Sequence, residues 1–449
     1  MALVDANVPT VPRLPNGPPE FSNQFMDQYS NVLRLYFNQL NNVVRELVAN
    51  QGPYQVELYG GAIDAFGRAR VSNPFTIFDS QNRYGSDDQF DTATATGGSI
   101  TYQSNESTVD LNVTTSSGSE VVRQTYRVMP YQPGKGLQIL CTFVMNAGKE
   151  NLRQRAGYFN TENGVFFQLN GTTKSFVLRT NTSGTPSDAR TVNQADWNGD
   201  KLDGSGDSGL TLDTTKTQIF WCDLEWLGVG GVRCGFIINN QYIICHTFNN
   251  ANEQTKVYMT TAILPVRYEI TNTGATASAS TMKQICSTVI SDGGYQQQVK
   301  QLVARRTTAL AAIGTTLLPL VSIRLKSTRL GAVVLPQQSV VFPTSSGNYE
   351  IHLVKNTTLT GASWVTSAFN NVEYDITATA MSGGTTVQLG YASATNQSSG
   401  AGSEPAGYNF DLQLGASLAG VSDIYTIGVR VLSGTGDAIG GLGFFDLTD

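Results

Sequence analysis

The sequence predicts a mainly β protein, in which an N-terminal helix is followed by two β-sandwich modules of the jelly-roll type. Short strand-like segments separated by turn residues repeat from residue 99 to residue 431. Only one long segment has helical periodicity, and it lies near the N-terminus at residues 20–48. The 449 residues include 45 glycines, and only 14% of them are charged, a composition that suits extended β-proteins. A chain of this length can form two or three domains, each with its own core.

The helical segment carries an apolar heptad pattern. Its a positions are Met26, Leu33, Leu40 and Leu47, and its d positions are Tyr29, Tyr36 and Val43. An isolated helix buries almost no apolar surface, so a stripe of this kind requires a partner. The pattern favours a helix that forms a homo-oligomer or docks onto another protein. Packing against the chain's own β-domains is the alternative.

The chain is expected to divide into three parts. Residues 1–52 form an arm and the heptad helix, and the five prolines within residues 1–19 predict an extended arm that is poorly ordered or that only a partner orders. The central β-sandwich is assigned to residues 53–298 and the C-terminal β-sandwich to residues 299–449. A short linking helix is predicted over residues 295–310.

The strands are predicted from alternation of apolar and polar residues between turn signals. In the central module they cover residues 100–103, 109–113, 120–128, 137–144, 164–169, 175–179, 218–226, 232–238 and 242–248. In the C-terminal module they cover residues 321–325, 332–335, 349–354, 372–378, 386–389, 408–412 and 424–431. The clearest hairpin is at Asn239-Asn240, because asparagine tolerates the positive φ that a two-residue turn requires.

Charge and cysteine content argue against several classes of function. The net charge of −6 and pI near 5.1 provide no basic surface for nucleic acid, and no apolar run approaches the roughly 18 residues of a membrane span. The five cysteines lie in apolar strand patterns without a CxxC pair, which predicts buried free thiols and no zinc site. We therefore expect no nucleic-acid partner, no membrane insertion, no metal and no cofactor.

Two patterns resemble catalytic arrangements. Asp223 and Glu225 alternate onto one face of a predicted strand, about 7 Å apart, and paired carboxylates on a jelly-roll strand serve many glycoside hydrolases. Two acidic residues on the solvent face of a strand are the alternative, which we favour. Residues 206–209, Gly-Asp-Ser-Gly, resemble a nucleophile loop, but neither His246 nor His352 lies in a base motif. We predict no catalytic residues.

Asp196, Asn198 and Asp200 are spaced two residues apart, as oxygen ligands are in a calcium loop, and Asp203 and Asp207 follow them. Lys201 stands where the glycine of such a loop is expected, and no glutamate closes the site. The pattern therefore favours a turn rich in Asx residues, and a bound cation is the alternative.

Aromatic residues near predicted loops are candidates for stacking on sugar rings. Tyr158, Trp197 and Trp364 are the predicted glycan contacts, with Tyr258 and Tyr391 as further candidates. Core packing is the alternative for each, because most aromatic residues of a β-sandwich are buried.

A group of short motifs lies between residues 60 and 300. They are AFGRARVS at 65–72, PF at 74–75, FDS at 78–80, GYF at 157–159, NGVFF at 163–167, DWN at 196–198, KLDG at 201–204, LEWLGVG at 224–230, VR at 232–233, GF at 235–236, His246, FN at 248–249 and PVRYEI at 265–270.

This block resembles a module of virion proteins from tailed phages, especially phages of marine bacteria and cyanobacteria. The resemblance implies a non-enzymatic structural protein of the virion, assembled in the host cytoplasm. It would be an oligomeric, homotrimeric tail fibre or baseplate-associated component that attaches to other virion proteins through its arm and helix. A capsid decoration or head fibre protein and a glycan-degrading tailspike are the alternatives. The central module also resembles concanavalin-like jelly rolls, which permits binding of a host surface glycan.

Overall fold

A computed structural model describes residues 23–49, 63–71, 73–296, 300–395, 398–399 and 410–448, without the side chains of residues 45–49 and 398–399. The chain divides into two compact units, residues 1–58 and residues 59–449. Each unit is described by itself below.

The first unit contains one helix, α1, which spans Asn23–Ala49. The segment lacks glycine and proline, so neither helix-breaking residue interrupts the backbone hydrogen bonding over its 27 residues. The helix predicted over residues 20–48 is confirmed for residues 23–48, and residues 20–22 lie outside the described residues. The predicted arm, residues 1–19, lies outside the described residues.

The second unit begins with a sandwich of two antiparallel sheets. The eight-stranded sheet has the order β13-β12-β11-β6-β15-β4-β3, with β1 also paired to β15, and the seven-stranded sheet has the order β10-β9-β8-β7-β14-β5-β2. Its strands are β1 Phe75–Gln81, β2 Phe90–Ala95, β3 Ser99–Gln103, β4 Thr108–Val113, β5 Glu120–Thr125, β6 Leu137–Val144, β7 Leu152–Phe159, β8 Gly164–Asn170, β9 Thr173–Thr180, β10 Ser187–Asn193, β11 Gln218–Leu224, β12 Val232–Ile238, β13 Gln241–Phe248, β14 Val266–Asn272 and β15 Ser280–Ser291.

Alternate residues of both sheets fill the core between them. Phe167 from the seven-stranded sheet contacts Phe236 from the eight-stranded sheet edge to face, with ring centroids 5.1 Å apart. Burying a side chain of this size stabilises the fold by roughly 1.5–3 kcal/mol. Asn239 and Asn240 connect β12 to β13 with φ of 52° and 60°, so the predicted hairpin is confirmed.

The C-terminal part of the second unit contains three further antiparallel sheets and a separate apolar core. A three-stranded sheet has the order β16-β26-β18, a six-stranded sheet has the order β21-β17-β25-β19-β23-β24, and β20 pairs with β22. Its strands are β16 Lys300–Ile313, β17 Leu318–Leu325, β18 Val334–Pro343, β19 Gly347–Lys355, β20 Thr358–Thr360, β21 Val372–Asp375, β22 Ala380–Ser382, β23 Thr385–Thr395, β24 Ser398–Ser399, β25 Ile424–Val431 and β26 Gly436–Asp446.

The predicted fold class, mainly β with an N-terminal helix and β-sandwich modules, is confirmed. Two local predictions were wrong. Residues 300–310, expected within a linking helix, belong to β16, because pairing with β26 places Leu302 opposite Phe444 and overrides the helix-forming tendency of this segment. Residues 410–412 form a short 3₁₀ helix rather than a strand. The predicted module boundaries at 52/53 and 298/299 lie outside the described residues.

The five cysteines are free thiols, and four of them are buried. Burial raises the pKa of the Cys141 thiol to about 12. Among the described helices, none combines the length and the apolar character of a transmembrane span.

Candidate functional site

The heptad stripe of α1 is open to solvent. Within the described side chains of the helix, residues 23–44, none is buried. Met26 is 41% exposed, and Leu33, Leu40 and the d-position residues are half-buried. Two apolar residues beside the stripe, Phe37 and Val44, are 59% and 48% exposed. Leu47 lies in the helix, but its side chain is not among those described.

Asp223 lies in β11 and Glu225 directly follows the last residue of that strand, Leu224, and the prediction that the two side chains meet solvent was wrong. Both side chains are buried, because the segment that contains Arg68 and Arg70 binds to them. Asp223 accepts hydrogen bonds from Arg233 Nε at 2.9 Å and from Arg70 Nη2 at 2.6 Å. Each oxygen of Asp223 therefore accepts a charge-assisted hydrogen bond from a guanidinium.

Glu225 has a different environment. Its Oε1 accepts a hydrogen bond from Arg68, whose Nε is bonded at 2.6 Å to Asp64. Burial raises the pKa of Glu225 to about 7, and the neighbouring Asp64 carboxylate adds to this effect more than Arg68 offsets it. Glu225 is thus about half protonated at neutral pH, and a carboxyl group that can donate a proton there is one requirement of a glycosidase. The second requirement, an accessible nucleophile or base, is not met by Asp223, which two arginines hold.

A second charged group, which the sequence analysis missed, lies on the face of the seven-stranded sheet that points away from the core. Glu269 of β14 accepts hydrogen bonds from Arg153 Nη2 at 2.9 Å, from Arg267 Nη2 at 3.0 Å and from Arg155 Nη1 at 3.4 Å. Burial would raise the pKa of Glu269, but the charges of the three arginines outweigh it and lower the pKa to about 2. This carboxylate holds charge and does not transfer protons near neutral pH.

Aromatic rings support the arginines of this face. The ring centroids of Phe159 and Phe166 lie 4.3 Å apart. The guanidinium groups of Arg155 and Arg179 lie 5.1 and 5.2 Å from the centroid of the Phe166 ring. Asp188 accepts two hydrogen bonds from Arg179, at 2.7 and 2.8 Å. Alternation alone would place Arg153 and Arg155 on one face of β7, and Arg267 and Glu269 on one face of β14. The four side chains come together only because β7 and β14 are neighbours in the sheet.

Two of the three predicted glycan contacts are in the core. Tyr158 is 0% exposed and its hydroxyl donates to Ala262 O at 2.7 Å, while Trp197 is 2% exposed and stacks on Phe176 at 4.3 Å. The prediction that these two rings face solvent was wrong, because Tyr158 points from β7 into the core and the loop that carries Trp197 packs back onto the sandwich. Tyr258 is likewise buried.

Trp364 and Tyr391 differ from the buried rings. Trp364 is half-buried, and the Arg324 guanidinium lies 4.1 Å from its ring centroid, which occupies one face of the indole. Tyr391 is 62% exposed. A glycan contact at Trp364 stays a prediction.

The loop between Asp196 and Asp207 has the hydrogen bonds of an Asx-rich turn. Asp200 accepts from Leu202 N at 2.8 Å and from Ser208 N at 2.7 Å, and Asp203 accepts from Ser205 N at 2.9 Å. These carboxylates cap backbone amides, as the turn interpretation predicts. Within the described residues, no group of three or more His, Cys, Asp or Glu side chains has the geometry of a metal site.

Solved structures similar to this chain are β-sandwich domains. The carbohydrate recognition domain of Emp47p is 10% identical with a TM-score of 0.32, and the match covers 48% of this chain and 96% of that one. The β-glucanase of Bacillus licheniformis is 12% identical with a TM-score of 0.31, over 49% and 98% of the two chains. Arcelin-5, a lectin-like defence protein from Phaseolus vulgaris, is 12% identical with a TM-score of 0.30, over 49% and 99%. No protein-family model matches the sequence, and neither does any curated protein.

Proposed function

We propose that this chain is a non-enzymatic structural protein of a tailed-phage virion. In this proposal α1 forms a homotrimer and, with the arm, contacts other virion proteins, while the β-modules face the host surface as part of a tail fibre or baseplate-associated component. The open heptad stripe of α1 is the observation that carries the proposal. A 27-residue amphipathic helix without a buried side chain in its described part gains most of its stability from a partner.

The contacts of the acidic pair support the non-enzymatic part of the proposal. Asp223 is bound by Arg70 and Arg233, and Glu225 is covered by Arg68. A hydrolase would need both carboxyl groups to reach a glycosidic bond. Because the covering segment binds through ion pairs, access of a substrate would require those pairs to break.

The oligomer is tested by a double substitution in the a positions. We expect the unmodified protein to sediment as a trimer. The Leu33→Asp/Leu40→Asp variant should sediment as a monomer with unchanged β-sheet circular dichroism. In an oligomer of this variant, four negative charges of a dimer or six of a trimer would meet in the interface between the helices. Asn31→Asp/Asn38→Asp is the matched control, since both asparagines are exposed at f positions on the opposite side of the helix. This control should remain trimeric.

A monomeric unmodified protein at micromolar concentration would overturn the oligomer, and so would a trimer that survives the leucine substitutions. The virion role is tested separately by electron microscopy of phage particles with a gold label on the C-terminus of this chain. Label at the tail tip or baseplate is expected. Label on the capsid would support a decoration or head fibre protein instead, and its absence from particles would contradict a virion role.

A further inference from the structure

Two cysteines lie directly opposite each other on neighbouring strands of the eight-stranded sheet. Cys222 of β11 is in register with Cys234 of β12, and the two strands are antiparallel. Residues in such register point to the same face of a sheet, and their Cα atoms are about 4.5–5.5 Å apart. That separation lies within the range of about 4.4–6.8 Å found for disulfides. The backbone therefore has the spacing that a bond between the two sulfur atoms requires.

The neighbouring residue pairs hold this register. Asp223 is opposite Arg233, and Arg233 Nε donates to Asp223 Oδ1 at 2.9 Å on the face of the sheet away from the core. At the next position Gly235 packs against β13, where an added Cβ atom would lie 1.9 Å from Ile243 O. A slip of one residue would turn these side chains to the other face and break the ion pair. The two thiols therefore stay opposite each other.

Both cysteine side chains are fully buried in the apolar core of the sandwich. Burial raises the pKa of both thiols well above its ordinary value, and the neighbouring Cys234 thiol raises the pKa of Cys222 further. Because the thiolate is the reactive form, the folded sandwich protects both sulfur atoms from small reagents. A bond between them can form while the chain folds, or when the β12–β13 hairpin at the edge of the sheet opens.

The other three cysteines are less well placed for such a bond. Cys141 of β6 is opposite Phe220, so it lies diagonal to Cys222, at a separation of about 7–8 Å. Cys245 is the extra residue where the register between β12 and β13 shifts, and its Sγ donates to a backbone carbonyl of its own strand at 3.7 Å. Cys286 lies in β15, which β6 separates from β11. Cys245 is therefore the main competitor.

We propose that Cys222 and Cys234 are a modification site, at which a disulfide forms when the chain folds in an oxidising medium. A small disulfide such as oxidised glutathione is the oxidant. The thiolate of one cysteine attacks it and releases one reduced glutathione, and the second cysteine then attacks the mixed disulfide and releases another. The chain loses two electrons and two protons, which convert the glutathione disulfide to two thiols. This inference is independent of the proposed virion role and of the oligomer.

The test refolds the full reduced chain from urea into a buffer of oxidised and reduced glutathione. The remaining thiols are alkylated in denaturant and counted by mass spectrometry, and we expect three of the five cysteines to be alkylated. Trypsin cleaves after Arg233 and chymotrypsin after Tyr242, so the digest separates Cys222, Cys234 and Cys245. It should contain one linked pair of peptides, with Cys222 in one and Cys234 in the other. Oxidation of the chain in urea should instead give a mixture of pairings.

Matched variants assign the bond to its two cysteines. Cys141→Ala and Cys245→Ala should form it at the same yield as the unmodified protein. Cys222→Ala and Cys234→Ala should lower the yield of intramolecular disulfide about tenfold or more, because the remaining cysteines lack the required spacing. The oxidised unmodified protein should also unfold at a higher urea concentration than the reduced protein, since the bond restricts the unfolded chain.

Four outcomes would overturn the site. They are five alkylated thiols after refolding, a linked pair that contains Cys141 or Cys245, loss of β-sheet circular dichroism on oxidation, and a lower urea midpoint for the oxidised protein. Circular dichroism checks that each variant is folded. If Cys222→Ala or Cys234→Ala does not fold, the peptide map of the unmodified protein still decides which two cysteines are joined.

Discussion

Replacing Glu269 by glutamine should destabilise the protein by about 3 kcal/mol at pH 7.5. The pKa of Glu269 falls from an ordinary value of 4.5 to about 2 in the folded protein, and each pKa unit corresponds to about 1.4 kcal/mol. Because the folded-state pKa is depressed, this stabilisation is fully present above pH 4.5 and is lost as the pH falls through 2. The substitution also leaves Arg153, Arg155 and Arg267 without their shared anion, a change that typically costs about 3–5 kcal/mol for a buried pair.

Glu225→Gln is the matched control, because the same substitution acts on a buried glutamate whose pKa is shifted in the opposite direction. The pKa of Glu225 rises from 4.5 to about 7, so ionisation of this group destabilises the folded state increasingly between pH 4.5 and 7. As the pH rises from 4 to 8, the free energy of unfolding of Glu225→Gln should therefore increase by up to about 3 kcal/mol relative to that of the unmodified protein. Loss of the Arg68 ion pair subtracts little, since Arg68 is half-exposed.

Urea unfolding followed by tryptophan fluorescence at pH 2.5, 4, 5.5 and 8 measures both effects. Three of the four tryptophans, Trp197, Trp221 and Trp226, lie in the first sandwich, so the signal reports mainly on the sheets that carry the two glutamates. At pH 2.5 the loss in free energy of unfolding caused by Glu269→Gln should be below about 1 kcal/mol. Two results would refute the pKa shifts assigned to Glu269 and Glu225. One is an equal loss of free energy of unfolding in both variants at pH 8. The other is a stability difference between Glu225→Gln and the unmodified protein that does not change with pH.

Three further perturbations test other parts of the fold. Gly235→Ala should cost more than about 1 kcal/mol, because the added Cβ overlaps the Ile243 carbonyl oxygen, whereas Gly390→Ala, with open space around it, should be nearly neutral in urea unfolding. Cys286, which is half-buried, should react with a thiol reagent in the folded protein, and the buried Cys141 should react only after denaturant is added. Asp223→Asn should lower the free energy of unfolding by about 3–5 kcal/mol in the same assay, since it leaves the buried Arg233 and the half-buried Arg70 facing an amide. An unchanged midpoint would contradict the role of Asp223 as their counter-ion.

Sequence alternation predicted the strands where burial on one face determines the pattern. The bounds of β6, β12 and β25 agree with the predicted ranges at both ends, because apolar and polar residues alternate through each of them. Alternation failed to predict β16. In this strand Ala304 is buried but Val303 is exposed, and the strand conformation depends on pairing with β26. Such pairing joins residues more than a hundred positions apart, and no local pattern encodes it.

The site was predicted less completely than the fold. Alternation paired Asp223 with Glu225, but it carried no information on the segment containing Arg68 and Arg70 that covers them. The same limit explains why the arginines around Glu269 were missed, since they come from β7 and β14, which are distant in the sequence. The aromatic residues were misassigned because a tyrosine or tryptophan next to a turn can pack in either direction.

The position of β26 between β16 and β18 determines when the small sheet can form during synthesis. The first sandwich is complete in sequence once Ser291 has left the ribosome, and it can fold while the following residues are still being made. The three-stranded sheet must wait for residues 436–446, and until then β16 and β18 each lack the neighbour to which they hydrogen-bond. A translation product that stops before Gly436 would leave two strand edges unpaired, and we expect it to aggregate rather than persist as a shortened protein.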